Sequence, residues 1–158
     1  MEMTSQRDIH RVSPACAIPD LAGEITAALA GTGPALGLGE VRSTGAPSRI
    51  ALVIGTSGTT GMSKEVAFTA SALLASARTS NKFLEAKPGQ QWSLFLPLTH
   101  IAAVNVIIRS MELGTLPIDL REHQGEYPKV DFTSIVPTQL FRALNSDCLL
   151  YTSPSPRD

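Results

Sequence analysis

The sequence predicts an α/β domain, in which a mainly parallel sheet is flanked by helices. Residues 49–54 are apolar throughout after Arg49 and rich in β-branched side chains, as expected of a strand buried on both faces. Further along, apolar residues recur at helical spacing, and strand-like stretches alternate with helix-like ones. Because a strand, a helix and a second strand form a parallel crossover, this alternation favours a parallel sheet covered on both sides.

The part that precedes this strand is predicted to contain one short helix. Residues 20–30 have helical character, with Asp20 as the N-cap and Gly31 as the stop signal. Residues 31–48 are rich in Gly, Pro, Ser and Thr, and they predict a loop with at most a short strand near Val41.

After the strand, the pattern predicts three more helices and three more strands. The helix near Ala70 ends close to Lys87, the helix 101–113 ends at Gly114, and the helix 137–144 has Pro137 in its first turn. The predicted strands cover residues 92–96, 115–120 and 131–136, and residues 121–129 form a polar loop.

The composition is that of a globular domain and excludes several classes of protein. Hydrophobic residues make up 43% of the chain and charged residues 17%, with a formal net charge of -1 and no basic run. Binding to nucleic acid or to an anionic membrane surface is therefore not expected. No stretch reaches the roughly 18 apolar residues of a membrane span, and the polar N-terminus does not have the pattern of a signal peptide.

The two cysteines, Cys16 and Cys148, lie in no metal-binding spacing. We therefore expect neither a zinc site nor a disulfide framework, and a reducing cytoplasm is the expected location.

The last residues, 148–158, break the pattern of the chain. They have no periodicity and resemble the translation of a common transposase-type sequencing adapter. A natural Ser/Pro-rich tail is the alternative. We expect residues 1–147 to be a truncated N-terminal domain, and residues 148–158 to be non-native.

A glycine-rich loop follows the apolar strand and carries the chemistry. Glycines at 55, 58 and 61 alternate with hydroxyl side chains and are followed by Lys64. Glycine lets successive backbone N–H groups converge on an anion, while hydroxyls and an ammonium group add donors. The loop therefore predicts a polyphosphate site. The residues that would offer hydrogen-bond donors to it are Thr56, Ser57, Gly58, Thr59, Thr60, Gly61 and Lys64.

Two better-known phosphate loops do not fit this segment. In the Walker A pattern a lysine directly follows a glycine and precedes a hydroxyl residue, whereas Lys64 follows Ser63 and precedes Glu65. The dinucleotide fingerprint fails because Gly55 and Gly58 are too widely spaced. An ordinary Gly/Ser/Thr surface loop remains the simplest alternative.

The segment T-S-G-T-T-G-M-S-K, from Thr56 to Lys64, resembles the T-S-G-T-T-G-x-P-K signature of adenylate-forming enzymes, with Ser63 in place of proline. This superfamily includes acyl-CoA synthetases, peptide-synthetase adenylation domains and luciferases. The resemblance implies that the loop holds the β- and γ-phosphates of ATP while a carboxylate attacks the α-phosphate.

A second segment, L-P-L-T-H-I-A-A at residues 96–103, resembles the family's L-P-L-x-H-x-x-G stretch, with Ala103 in place of glycine. The resemblance implies that His100 borders the acyl pocket, although a lone histidine is more often structural. Arg109, on the helix after His100, is a candidate to pair with a substrate carboxylate. An arginine that covers apolar neighbours is the alternative.

A third segment, T-S-I-V-P-T-Q-L at residues 133–140, resembles a stretch of 2-succinylbenzoate–CoA ligases of menaquinone synthesis. A strand that enters a proline-started helix explains most of the same letters. The short part before the phosphate loop also resembles the compact forms of this ligase. The resemblance implies that residues 1–147 are the truncated AMP-binding N-terminal domain of such an enzyme. The implied reaction uses ATP, Mg²⁺ and coenzyme A with small-molecule partners, and a homo-oligomer is a further expectation for the complete protein.

Other identities stay open. Another acyl-CoA synthetase, a peptide-synthetase adenylation domain and a non-catalytic nucleotide-binding module are the alternatives. The family's later motifs, including its catalytic lysine, have no counterpart in this sequence. We therefore assign no catalytic residue and expect this chain alone to show no turnover in an ATP-dependent acyl-CoA assay, because a phosphate site does not by itself position the reacting groups.

Overall fold

The computed structural model describes residues 5–56, 64–124 and 126–145, and within them it contains eight strands and four helices. The strands are β1 (Gln6–Arg11), β2 (Ala35–Gly39), β3 (Gly45–Pro47), β4 (Ile50–Thr56), β5 (Lys64–Thr69), β6 (Trp92–Leu94), β7 (Ile118–Asp119) and β8 (Phe132–Ser134). The helices are α1 (Ile18–Ala30), α2 (Ala70–Phe83), α3 (Ile101–Glu112) and α4 (Pro137–Asn145).

The strands form two sheets. The larger has the order β3-β1-β2-β4-β5, in which β1, β2 and β4 are parallel and the two edge strands are antiparallel to their neighbours. The smaller sheet, β7-β6-β8, is entirely parallel. The predicted fold class, a mainly parallel sheet flanked by helices, is confirmed, with its strands divided between two sheets.

Helix α1 ends as predicted but begins earlier. Gly31 is its C-cap at φ 75°, a left-handed conformation that glycine adopts without a steric penalty, and its N–H reaches the carbonyls of the last turn. The prediction of Asp20 as the N-cap is wrong, because Ala17 is the N-cap and the helix begins at Ile18, with Pro19 in its first turn. Asp20 instead lies in the first turn, where its negative charge interacts favourably with the positive end of the helix dipole.

The core lies between the larger sheet and three helices. Buried side chains of β2 and β4 meet those of α1, α2 and α3 in one cluster, which includes Leu21, Leu36, Leu52, Leu73 and Ile108. Each such leucine or isoleucine contributes about 1.5–3 kcal/mol when it is fully buried. This packing fixes β4, and therefore the start of the glycine-rich loop, against the rest of the domain.

Four strands differ from the sequence prediction. β2 and β3 lie within the segment predicted as loop, while Val41 lies outside both. β5 separates the glycine-rich loop from α2, which was predicted to follow the loop directly. β1 was not predicted, because its sequence QRDIHR has a single apolar side chain.

The later elements occur where they were predicted, with small changes in length. The strands predicted over residues 92–96, 115–120 and 131–136 are shorter in the structure, and α4 matches the predicted last helix closely. Phe83, the last residue of α2, is 85% exposed and does not join the core. None of the helices in the described ranges has the length and apolar character to cross a membrane.

Candidate functional site

The candidate site begins at the β4–β5 hairpin. Thr56 is the last residue of β4, Lys64 is the first of β5, and the two are paired across the antiparallel ladder. The hydroxyl of Thr56 donates a hydrogen bond of 3.0 Å to the carbonyl oxygen of Lys64. The glycine-rich segment therefore connects the two strands of one hairpin, whereas the sequence predicted that it connects a strand to a helix.

The central residues of the predicted phosphate site, Ser57, Gly58, Thr59, Thr60 and Gly61, lie outside the described residues. Of the predicted phosphate ligands, the structure thus describes the two that end the segment, and it brings those two together.

Gly55 has a packing role at the base of the hairpin. A Cβ added there would overlap the carbonyl of Glu40 and lie 3.0 Å from the backbone nitrogen of Val41. The first glycine of the motif is therefore required by the close approach of two backbones.

Glu65, whose position in the sequence excludes the Walker A pattern, accepts hydrogen bonds from the connection between β2 and β3. Its carboxylate accepts hydrogen bonds from the backbone N–H groups of Arg42 and Ser43 and from the hydroxyl of Ser43. These hydrogen bonds lower the pKa of Glu65 below its ordinary value, and the bond from the Ser43 hydroxyl has the largest effect. Glu65 is thus held as a carboxylate that faces this connection.

The segment that leads to His100 lies close to the hairpin. Gly39 has φ 67°, and a Cβ added there would lie 3.1 Å from the carbonyl oxygen of Gly55 and 3.9 Å from that of Thr99. Three backbones therefore converge on Gly39. The sequence signal for this convergence was the alternation of glycines in β2, which had been attributed to a loop.

His100 is the N-cap of α3, and its side chain is exposed. Its imidazole makes no capping hydrogen bond, while its backbone carbonyl accepts from the N–H of Ala103 at 3.1 Å. The imidazole is therefore free of this local structural role. Ala103, the residue in place of the family's glycine, is completely buried, so its extra methyl group packs into the core.

A cleft of about 650 Å³ opens at the carboxyl ends of β6 and β7, beside the segment that leads to His100. Ligands of α/β sheets commonly bind outside the carboxyl ends of parallel strands. The cleft is lined by Pro14, Ala15, Phe95, Pro97, Leu98, Asp119, Arg121, Glu122 and His123. His100 is not part of this lining, although the chain that leads to it is.

Arg121 on the wall of this cleft is fully engaged by protein groups. Its guanidinium donates to both carboxylate oxygens of Asp119, at 2.8 and 2.6 Å, and to the carbonyl oxygens of Pro14 and Cys16. It therefore joins β7 to the turn after β1.

Arg109 lies in the last turn of α3, half-buried, with its guanidinium carbon 5.3 Å from the centroid of the Trp92 ring. Burial lowers the pKa of Arg109, and within the described residues its Nε has no hydrogen-bond partner. Arg109 and His100 are separated by about 13 Å along the axis, at roughly 1.5 Å per residue. The structure therefore brings Arg109 against Trp92 and does not bring it beside His100.

The V-P-T-Q segment has a clear local explanation. Pro137 opens α4, and the side-chain oxygen of Gln139 accepts a hydrogen bond of 3.0 Å from the N–H of Val136. A glutamine at the third helical position that bonds back to the N-cap is half of a capping box. These letters therefore specify a helix start, as the simpler interpretation of this segment proposed.

No group of three His, Cys, Asp or Glu side chains capable of holding a metal ion occurs within the described ranges. We therefore assign no protein ligand to a magnesium ion in this part of the chain.

Comparison with protein families and curated relatives gives one consistent result. The sequence model described as AMP-binding enzyme matches residues 7–144. A protein described as probable 2-succinylbenzoate–CoA ligase from Mycobacterium tuberculosis, present in two strains, is 39% identical over 107 residues. That similarity covers 60% of this chain and 27% of the relative, so the chain spans about a quarter of the length of these curated relatives.

Two solved structures illustrate the similarity in fold. Wild-type E. coli MenE, with a bound m phenylether-linked analogue of OSB-AMS, gives a TM-score of 0.53 at 25% identity, over 87% of this chain and 34% of that chain. The acyl-CoA synthetase (AMP-forming)/AMP-acid ligase II-like protein of Dyadobacter fermentans gives 0.52 at 31% identity, over 60% of this chain and 29% of that chain.

Proposed function

Because this chain belongs to the AMP-binding enzyme family, we propose that the complete protein is an acid–CoA ligase that activates 2-succinylbenzoate. In the first step a carboxylate oxygen of the acid attacks the α-phosphate of ATP, which gives an acyl-adenylate and pyrophosphate. In the second step the thiol of coenzyme A attacks the acyl carbon, so that a thioester forms and AMP leaves. Magnesium accompanies ATP in this reaction, and we assign it no ligand in the described part.

The base of the β4–β5 hairpin carries the proposal. Thr56 and Lys64 close the two ends of the glycine-rich segment, and a hydrogen bond of 3.0 Å joins them. Lys64 supplies an ammonium group where the segment ends, and the Thr56 hydroxyl, which already donates to the Lys64 carbonyl, fixes where the segment begins. Together with Ser57, Gly58, Thr59, Thr60 and Gly61, we propose that they bind the β- and γ-phosphates of ATP, because amide, hydroxyl and ammonium donors all favour a polyanion.

His100 and Arg109 are proposed for the acid. The imidazole of His100 is exposed at the start of α3, close to the hairpin through the convergence at Gly39. Arg109 offers a half-buried cation whose Nε has no hydrogen-bond partner among the described residues. A substrate with two separated carboxylates is suited to these two positions.

The identity of the acid rests on the relatives. The M. tuberculosis proteins are described as probable 2-succinylbenzoate–CoA ligases, and the MenE structure holds an analogue of OSB-AMS. The similarity to an acyl-CoA synthetase-like protein favours a second candidate, in which the chemistry is the same and the acid is different.

Acid-dependent exchange of labelled pyrophosphate into ATP tests the proposal directly. With the complete protein we expect exchange that depends on 2-succinylbenzoate, followed by thioester and AMP formation when coenzyme A is added. Benzoate and a medium-chain fatty acid are the comparison substrates. Preference for either of them supports the second candidate, and release of ADP in place of AMP contradicts both.

A further inference from the structure

Residues 40–43, Glu40-Val41-Arg42-Ser43, lie across the base of the β4–β5 hairpin, and we call this segment the strap. One half of the strap packs on Gly55, because a side chain there would overlap the carbonyl of Glu40 and approach the nitrogen of Val41 to 3.0 Å. Val41 itself is 4% exposed, so this half of the strap is part of the folded core.

Glu65 holds the other half of the strap. One carboxylate oxygen accepts from the N–H groups of Arg42 and Ser43, and the second accepts from the Ser43 hydroxyl. Three donors on one carboxylate form a charge-assisted set, which is stronger than the same bonds to a neutral acceptor. Gly55 and Glu65 are direct partners in the β4–β5 ladder, so a single ladder position contacts both halves of the strap.

The neighbouring ladder position is the proposed phosphate site. Thr56 pairs with Lys64, one residue from the Gly55–Glu65 pair. Successive side chains of a strand point to opposite faces, so Lys64 projects away from the face that Glu65 presents to the strap. A shift of Glu65 along the strap would therefore move the backbone of Lys64 and change the direction of its ammonium group.

We propose that Glu65 is a positioning residue, which through the strap holds Lys64 and Thr56 in the orientation that receives the phosphates of ATP; this rests on the proposed function of the hairpin. Glu65 does not touch ATP in this proposal. It acts on the nucleotide through its neighbour in the strand.

Steady-state kinetics of the complete protein separate this role from simple stabilisation. Glu65→Ala removes all three bonds, and we expect the KM for ATP to rise about tenfold while the KM for the acid stays within about twofold. Ser43→Ala removes one bond and should raise the KM for ATP about threefold. Glu65→Gln keeps a neutral acceptor and should fall between wild type and Glu65→Ala. Glu85→Gln changes an exposed carboxylate after α2 and serves as the matched control.

The outcomes are distinct. An unchanged KM for ATP in both Glu65→Ala and Ser43→Ala overturns the positioning role, and so does a parallel rise in both KM values together with a lower melting temperature. If Glu65→Ala does not fold, Ser43→Ala and Glu65→Gln decide by the same comparison. A wild-type protein without ATP–pyrophosphate exchange contradicts the proposed function itself, which is a separate result.

Discussion

The hydroxyl of Thr56 donates to the carbonyl oxygen of Lys64 at 3.0 Å, so the two ends of the proposed phosphate segment are joined by a side chain as well as by the sheet. Thr56→Val removes the donor and keeps the shape. We expect the KM for ATP to rise about threefold to tenfold, the range for one lost hydrogen bond. Thr56→Ser keeps the hydroxyl and should remain near wild type. A defect in Thr56→Ser as large as that in Thr56→Val, measured by pyrophosphate exchange, would show that the hydroxyl alone does not account for the effect.

Lys64 is expected to supply the positive charge of the proposed phosphate site. Its side chain is exposed, and among the described residues it takes part in no ion pair. Lys64→Met should therefore raise the KM for ATP by more than about tenfold, and the defect should shrink at high salt because exposed charges are screened. Lys64→Arg keeps the charge but presents a planar fork, so an intermediate KM is expected. A KM for ATP that is unchanged in Lys64→Met would refute this assignment.

Gly55 is predicted to tolerate no side chain. Gly55→Ala would drive a methyl group into the backbone of Glu40, so the strap must move, with an expected cost of about 1–3 kcal/mol in the free energy of unfolding. Gly23, on the exposed face of α1, has nothing within 4 Å of an added Cβ. Gly23→Ala should instead stabilise the helix by about 0.5–1 kcal/mol. Thermal unfolding of the two variants gives the comparison, and a Gly55→Ala protein as stable as wild type would contradict it.

The sequence was sufficient for those elements whose periodicity and stop signals agree. β4 has an unbroken apolar run, and α3 has buried positions at helical spacing before Gly114, so both were predicted close to their observed bounds. Pro137, in the first turn of α4, supported the prediction of that helix in the same way. In these segments the local preference of the chain and its burial point to the same structure.

The missed strands have a common cause. β1 carries one apolar residue, and its partners on both sides are supplied by distant segments, so its pairing is not visible locally. β2 is rich in glycine because Gly37 and Gly39 lie against Ile9 and the backbone of Gly55, and composition alone attributes such glycines to a loop. β5 is an edge strand with mostly partial exposure, so it lacks the apolar face of a buried strand.

The candidate site, like the fold, could be predicted only in part from the sequence. The motif identified the residues that should meet phosphate, but the strap and the role of Glu65 depend on contacts between residues more than twenty positions apart in the sequence. No periodicity encodes such a contact. It becomes visible only once the β4–β5 register is known.

The ion pair between Asp119 and Arg121 predicts a pH dependence of stability. The hydrogen bonds from Arg121 lower the pKa of Asp119 below its ordinary value of 3.8. A lowered pKa means that this contribution is fully present above the ordinary value, and is lost as the pH falls through the folded-state value. Asp119→Asn should therefore be less stable than wild type near neutral pH, by about 1 kcal/mol after allowance for solvent screening.

The difference between wild type and Asp119→Asn should shrink as the pH falls below the ordinary value of 3.8 and disappear below the folded-state pKa of Asp119. Melting temperatures recorded from neutral pH down to about pH 2 follow it. Glu126→Gln, at an exposed position, is the control. A stability difference that is constant across this range would show that Asp119 acts through its shape and not through its charge.

Arg109 distinguishes a role in substrate binding from a role in packing. Its guanidinium lies 5.3 Å from the Trp92 ring centroid, where a cation–π contact contributes about 0.5–2 kcal/mol. If Arg109 only covers Trp92, Arg109→Ala lowers the melting temperature and leaves both KM values unchanged. If it binds the second carboxylate of the acid, as proposed, the KM for 2-succinylbenzoate rises more than about tenfold while the KM for ATP does not change.

Arg109→Lys sharpens the comparison, because lysine keeps the charge but loses the planar pair of donors that matches a carboxylate. We expect this variant to retain most of the wild-type stability and still to bind 2-succinylbenzoate more weakly than wild type. A monocarboxylate of similar size should be used almost equally by wild type and Arg109→Lys, since it lacks the group that Arg109 is proposed to meet. If Arg109→Lys weakens the binding of both acids equally, Arg109 acts through its contact with Trp92 and does not bind the substrate.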